Sequence, residues 1–244
     1  MSRVDFFLWV VVPYVCLATF VVGHVWRYRR DQYGWTARST QLLERRLLYV
    51  GSNLFHFGIL AAIGGHVLGI LVPRSWTEAV GVGDTLYHRL AVVAGTLSGA
   101  AIVAGFGILV YRRLRIPRVR ATTTRSDLVL YPVLVVVILF GMLATVWGTA
   151  VDRYAYRETV SPWFRGIFTL QPQEALMANA SFVFQAHALT AWLLFAIWPF
   201  TRLVHVWSVP LGFFKRSPIL YRSQMPGAVA PARAEGTVQG RPKA

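Results

Sequence analysis

Six histidines are the residues of this chain best suited to chemistry: His24, His56, His66, His88, His187 and His205. Two of them stand in "NLFHFGILAAIGGH", Asn53 to His66, inside a run with no charged residue from Leu47 to Val72. An imidazole has two ring nitrogens to satisfy, and hydrocarbon satisfies neither. Ionisable side chains inside a bilayer are rare and usually functional. There an imidazole can bind a metal ion, relay a proton or hold a haem iron from an axial position. Cys16 is the only cysteine. One thiol leaves no disulfide within the chain, no cysteine-rich zinc or iron–sulfur site and no C-x-x-C-H attachment. Any haem is therefore held non-covalently.

The apolar runs define the elements that must position these residues. Of 244 residues, 55% are hydrophobic and 14% charged, where soluble domains carry about 25% charge. Crossing a bilayer takes roughly 20 apolar residues. Five stretches qualify, at 6–26, 47–72, 90–111, 128–151 and 175–206. No Asp, Glu, Lys or Arg interrupts them, except Arg202 near the end of the fifth, where it can snorkel. The fold class expected is all-α, an integral five-helix membrane bundle. The first run lacks the basic leader and cleavage site of a signal peptide and is long enough to stay in the membrane. Residues 1–223 form one five-span domain, and the Pro-, Gly- and Ala-rich stretch 224–244 is expected to be a disordered cytoplasmic tail. In the longest outer connection, "SPWFRGIF" (Ser161–Phe168) is amphipathic enough to lie along the interface.

The net charge of +15 is distributed unevenly. Loop 27–46, loop 112–126 and the segment after Thr201 hold 19 of the 25 basic residues. Basic loops stay on the cytoplasmic side. The N-terminus is therefore expected outside and the C-terminus in the cytoplasm. The charge records topology rather than nucleic-acid binding.

With that topology, span two runs outward and span five inward. His56 and His205 then lie near the cytoplasm, and His66 and His187 toward the outside. Antiparallel neighbours would present two histidine pairs at matched depth, which is what bis-histidine haem ligation needs. The spacings fit only in part. His56 and His66 are ~15 Å apart along an ideal helix, against ~27 Å for His187 and His205. A bend is required, and Pro199 in "IWPF" is a plausible kink site. Simple hydrogen bonds from each imidazole to a backbone carbonyl stay open as the alternative, as does a metal-binding or proton-relaying transporter. A zinc or copper site would want three or four ligands at one depth. Gly58, Gly64, Gly65 and Gly69 leave room beside the second-span histidines, or serve helix contacts. The glycines of "GTLSGAAIVAGFG" (Gly95–Gly107) read mostly as packing devices. His24 and His88 read as interfacial side chains at span ends.

Four strings carry a resemblance: "SNLFHFGIL" (Ser52–Leu60), "GGH" (Gly64–His66), "PRVRATTTR" (Pro117–Arg125) and "RLVHVWSVP" (Arg202–Pro210). Together they closely resemble the γ subunit of respiratory nitrate reductase, a membrane cytochrome b, over roughly residues 5–222. The resemblance implies two b-type haems, the inner on His56 and His205 and the outer on His66 and His187. It implies a cell-membrane anchor for two cytoplasmic subunits, an iron–sulfur (β) subunit and a molybdenum catalytic (α) subunit. Quinol would be oxidised toward the outer side, and nitrate reduced to nitrite in the cytoplasm, so no nitrate-reducing site lies in this chain. A cytochrome b anchor for another quinone-linked reductase is the nearest alternative.

The chain departs from the family pattern at two places. Where relatives have a lysine before the third span, associated with the quinol pocket, this chain reads Tyr87-His88-Arg89. These three, with Gly65 and His66, are the quinol-pocket residues the resemblance implies. Gln185 stands where some relatives have an arginine, which leaves Arg202 as the haem-propionate counter-charge, at the inner haem only. The basic run Arg112–Arg125 reads either as a dock for the iron–sulfur subunit or as an anchor facing lipid head groups.

Overall fold

A computed structural model describes residues 2–208. All regular structure among them is helical. Five helices are long and apolar enough to cross a membrane: Arg3–Arg30, Arg46–Leu71, Asp84–Arg115, Arg125–Val151 and Phe182–Phe200, the first to fifth spans. Residues 209–223 of the expected membrane domain and the expected tail, 224–244, lie outside the described residues.

Local chemistry sets the helix ends. The first span begins in a capping box, in which Ser2 Oγ accepts the Asp5 N–H at 3.1 Å and the Asp5 carboxylate accepts the Ser2 N–H at 3.3 Å. Thr124 and Asp127 repeat the device at the fourth span. Arginines close the first and third spans, at the negative ends of their helix dipoles. Between those ends, side chains such as Val22, Phe57, Leu60 and Leu97 are exposed. Lipid tails are as apolar as these side chains, so nothing drives them inward.

Small residues decide which spans touch. A Cβ on Gly105 would lie 2.4 Å from the Phe55 amide nitrogen, and one on Gly58 would lie 2.9 Å from the Ser98 carbonyl oxygen. The second and third spans therefore pack backbone against backbone. Gly95 and Gly99 make room for Thr145 and Met142 of the fourth span, whereas Gly107 has no neighbour within 4 Å. The fifth span packs mainly on the first and fourth.

The expected fifth span, 175–206, is divided. Glu174–Ala178 is a separate short helix, Phe182–Ile197 is the helix proper, and 3-10 turns cover Trp198–Phe200 and Arg202–Ser208. Asn179 turns its side-chain amide back onto the Ala175 carbonyl at 2.8 Å, and Ser181 is non-helical. Such side chains offer the backbone an alternative to the helix. At the other break Pro199 has no N–H to donate, and Thr201 is fully extended (φ −117°, ψ 179°).

Away from the arginine-rich end, helix Val160–Phe168 contains the "SPWFRGIF" segment. Its apolar side is covered by protein rather than left to the interface, because Trp163 and Ile167 pack with Trp9, Cys16, Met177 and Trp192. Trp163 Nε1 donates to the Trp9 carbonyl at 2.9 Å, and Tyr14 Oη to the Ile167 carbonyl at 2.9 Å.

Candidate functional site

The structure brings the four histidines together as the depth argument expected. The ring centres of His56 and His205 are 6.0 Å apart, with planes at 70°. Those of His66 and His187 are also 6.0 Å apart, with planes at 36°. The mismatch between ~15 and ~27 Å of ideal helix rise disappears because residues 198–205 do not continue the helix. The feature read as a kink is a full break.

Two arginines fix the segment beyond the break. Arg27 Nη1 donates to the carbonyls of Pro199 and Thr201 at 2.7 and 3.1 Å, and Nη2 donates to Gly34 at 2.8 Å. These are carbonyls that a broken helix leaves without partners. Gly23 admits the proline ring, since a Cβ there would lie 2.8 Å from Pro199 Cγ. Arg202 then grips Asp127 through Nε and Nη2, both at 2.7 Å. His205, three residues on, is thereby anchored from the first and fourth spans.

All four imidazoles use the same nitrogen for support. Nδ1 meets a backbone carbonyl at 2.7 Å in His56 (Ser52), 2.7 Å in His66 (Ala62), 3.2 Å in His187 (Val137) and 2.6 Å in His205 (Arg202). A carbonyl only accepts, so Nδ1 carries the proton and Nε2 keeps its lone pair. Among the described residues nothing hydrogen-bonds to any of these four Nε2 atoms. The carbonyl-bonded alternative is thus true of one nitrogen per ring and leaves the other unassigned.

The distances fit a bis-imidazole metal site. Two metal–imidazole bonds of about 2 Å, plus the two ring radii, separate opposed ring centres by about 6 Å. Among the described residues no three His, Cys, Asp or Glu side chains cluster to hold an ion. Each pair supplies two ligands, so the bound group must complete its own coordination, as a porphyrin does. Gly64 and Gly65 have nothing within 4 Å of a would-be Cβ, and one on Gly141 would lie 3.0 Å from His187 Cε1. Gly58 and Gly69 face protein neighbours instead. The residues present fit a non-covalent b-type haem at each level.

The other expected site residues are scattered. Tyr87 and His88 line a cleft at the end opposite the basic loops; Arg89, Gly65 and His66 do not line it. With Nε and Nη2 on Asp127, Arg202 has Nη1 uncommitted. Gln185 Nε2 lies within 3.1 Å of the Met177, Ala178 and Ala180 carbonyls, so it holds the turn before the fifth span. His24 is occupied at both nitrogens, Nδ1 by the Phe20 carbonyl and Nε2 by the Trp207 N–H.

Three arginines counted with the basic loops are interior residues. Arg27, Arg112 and Arg113 are all buried. Arg112 ties loop 31–45 down through Glu44 at 2.6 Å and Thr40 at 2.8 Å. Arg113 lies over the Tyr131 ring at 5.6 Å. Only Arg115, Arg118, Arg120 and Arg125 of the run Arg112–Arg125 face outward. A basic residue at a span end looks the same in sequence whether it caps a carbonyl or faces a head group.

Comparison with known proteins joins this geometry to a family. A model of the nitrate reductase gamma subunit matches residues 5–224. The chain belongs to the nitrate reductase gamma-subunit family. It is 42% identical to the nitrate reductase gamma chain of Bacillus subtilis over 217 residues, covering 89% of this chain and 97% of that one. It is 32% identical to the respiratory nitrate reductase 1 gamma chain of Escherichia coli over 225 residues, covering 92% of this chain and 100% of that one. It is also 50% identical to the nitrate reductase-like protein NarX of Mycobacterium tuberculosis over 218 residues, 88% of this chain, but spans only 33% of NarX. As a member of the gamma-subunit family with five membrane-length helices, the chain is a multi-pass membrane protein.

Proposed function

We propose that this gamma subunit is a dihaem cytochrome b that oxidises quinol and anchors a respiratory nitrate reductase. His56 and His205 hold one haem and His66 and His187 the other. The observation that carries the reading is the pair of opposed imidazoles at 6.0 Å on each of two levels, every Nδ1 braced on a carbonyl. That brace fixes each ring and makes its Nε2 a better ligand.

The arginine-rich end faces the cytoplasm, by the positive-inside rule, and presents its exposed arginines to an iron–sulfur subunit that docks a molybdenum subunit beyond it. The His66–His187 level lies toward the outer face. When bound, the haems supply one-electron carriers at two depths, between a quinol at the outer face and the partners' metal centres in the cytoplasm. Quinol loses two electrons and two protons, and the protons leave at the outer face where the quinol binds. The charge-free runs within the spans carry no carboxylate relay for protons, and charge separation does not require one. Nitrate becomes nitrite on the partner subunits, not on this chain.

The test is to purify the chain with its partners and record a dithionite-reduced minus oxidised spectrum with a redox titration. A low-spin b-type spectrum with two midpoint potentials, together with menadiol-driven nitrate reduction, is the expected result. A colourless complex overturns the reading and returns the chain to the transporter class. A red complex that couples menadiol to a different acceptor makes it the anchor of another quinone-linked reductase.

A further inference from the structure

The end of the molecule opposite the basic loops holds a cleft that the haem reading does not use. The second span finishes there in a π-helical stretch, Val67–Leu71, directly after His66; such widened turns are frequent at functional sites. Two carbonyls of this stretch bind the segment that follows the fourth span. Ser161 Oγ donates to Gly69 at 2.8 Å, and Arg165 Nη1 donates to Ile70 at 2.8 Å. The cleft beside them measures about 170 Å³ and is lined by Tyr87, His88, Thr149, Tyr154, Tyr156 and Arg157, among others. A cavity of about 150 Å³ takes a benzene ring, so this one has room for a single six-membered ring. Arg74 stands at its edge, paired with Glu78, Asp84 and Glu158.

Arg157 is the anomaly in this cleft. Its guanidinium lies 3.9 Å from the Tyr87 ring centre, well within cation–π range. Nη2 donates to Thr77 Oγ1 at 3.0 Å. Nε and Nη1 are shielded from solvent and have no hydrogen-bond partner among the described residues. Arg74, Arg153 and Glu158 also line the cleft, yet none of them pairs with Arg157. Buried donors without partners are rare in folded proteins and call for an explanation. The two empty nitrogens point to different edges of the guanidinium, and each asks for an oxygen acceptor.

Beside the guanidinium stands a second polar feature. The hydroxyls of Tyr87 and Tyr156 are 3.2 Å apart. A Cβ on Gly69 would lie 3.0 Å from the first and 3.2 Å from the second. Gly69 is three residues after His66, ~4.5 Å of helix rise. Burial, then the bond to Tyr87, pushes the Tyr156 phenol up, so it stays a neutral donor. The tyrosine pair thus links the cleft to the turn that follows His66.

We propose that Arg157 is the residue that receives the quinol: its Nη1 holds one oxygen of the quinol ring in this cleft, with the Tyr87–Tyr156 pair beside it. The inference rests on the quinol-oxidising reading above and adds to it the group that recognises the substrate. A cation at that oxygen favours the quinolate anion, the form that gives up electrons more readily. Thr77 is a positioning residue, because it holds the third guanidinium nitrogen. His88 lines the cleft but leaves the oxygen to Arg157, and Arg89 lies outside the cleft.

The experiment uses the intact complex and compares wild type with Arg157→Leu, Arg157→Lys and Thr77→Val. Binding of 2-heptyl-4-hydroxyquinoline N-oxide, a quinol analogue, is followed by fluorescence quenching, and menadiol-driven nitrate reduction gives KM and kcat. Arg157→Leu should weaken the analogue and raise the menadiol KM at least tenfold. Its b-type spectrum, and nitrate reduction by reduced viologen supplied directly to the partner subunits, should match wild type. Arg157→Lys keeps the charge but not the guanidinium, and Thr77→Val keeps the guanidinium but not its anchor; both should fall in between. A haem-replete Arg157→Leu complex with wild-type Kd and KM overturns the proposal. If the leucine variant does not assemble, Arg157→Lys decides, and wild-type values there overturn it as well. A wild-type complex that fails to oxidise menadiol refutes the quinol reading itself, a different result from a variant that binds normally.

Discussion

Arg27 donates to the carbonyl of Pro199 at 2.7 Å across 172 residues of sequence, and this bond holds His205 opposite His56. The fifth span must stop being a helix before its last histidine, and stopping exposes carbonyls inside the bilayer. A second bond, to Thr201 at 3.1 Å, completes the repair. The cost of leaving such acceptors bare in lipid is what makes a buried arginine worth keeping there.

Arg27→Leu keeps the bulk and removes both donors. Each abandoned buried acceptor costs about 1–3 kcal/mol, and the damage falls on the segment carrying His205. We expect a lower melting temperature and loss of the His56–His205 haem, with the His66–His187 haem kept. Haem per chain by the pyridine haemochrome, set against the melting curve, checks this. A stable variant with both haems would separate the Arg27 bonds from the placing of His205.

Close helix contact provides a sharper contrast. A Cβ on Gly105 would lie 2.4 Å from a backbone nitrogen of the second span, while one on Gly107 meets nothing. Gly105→Val should therefore cost at least the 1–3 kcal/mol typical of overpacking and lower the yield of assembled complex. Gly107→Val, one helical turn away or less, should be near neutral. Thermal midpoints of the two variants in the same detergent give the comparison.

The same contrast marks how far the sequence could be read. Five apolar runs and the charge asymmetry were enough to number the spans. Depth alone paired His56 with His205 and His66 with His187, because a membrane reduces position along a helix to a single coordinate. The string Gly95–Gly107 showed that glycines pack, yet not that Gly107 is idle, since facing depends on rotation and not on composition. The stretch 175–206 read as one span because Asn179, Ser181 and Pro199 interrupt it without a charge. Arg27, Arg112 and Arg157 looked like loop charge. Their partners lie 172, 68 and 80 residues away, and no local pattern announces contacts at that range.

Loop 31–45 should respond to acid. Burial pushes the Glu44 carboxyl up, but the Leu47 and Leu48 N–H groups and the Arg112 guanidinium together hold it below the usual range. A depressed carboxylate contributes stability that is present above its unfolded value, about pH 4.3, and lost as pH falls through its folded value. Wild type should thus lose melting temperature in that acid window, while Glu44→Gln starts lower and changes less. Parallel slopes for the two proteins would show that Glu44 is not the group responsible.

The two histidine levels are most directly tested by counting haems as the ligands are removed one level at a time. Reduced-minus-oxidised spectra and haem-to-protein ratios would be measured for wild type, His66→Leu and His205→Leu in the assembled complex. The expected values are two haems in wild type and one in each variant. The haem left in His66→Leu should have the midpoint potential of the haem missing from His205→Leu. Two haems retained in either variant, or both lost together in a folded complex, would contradict the assignment of one haem to each pair.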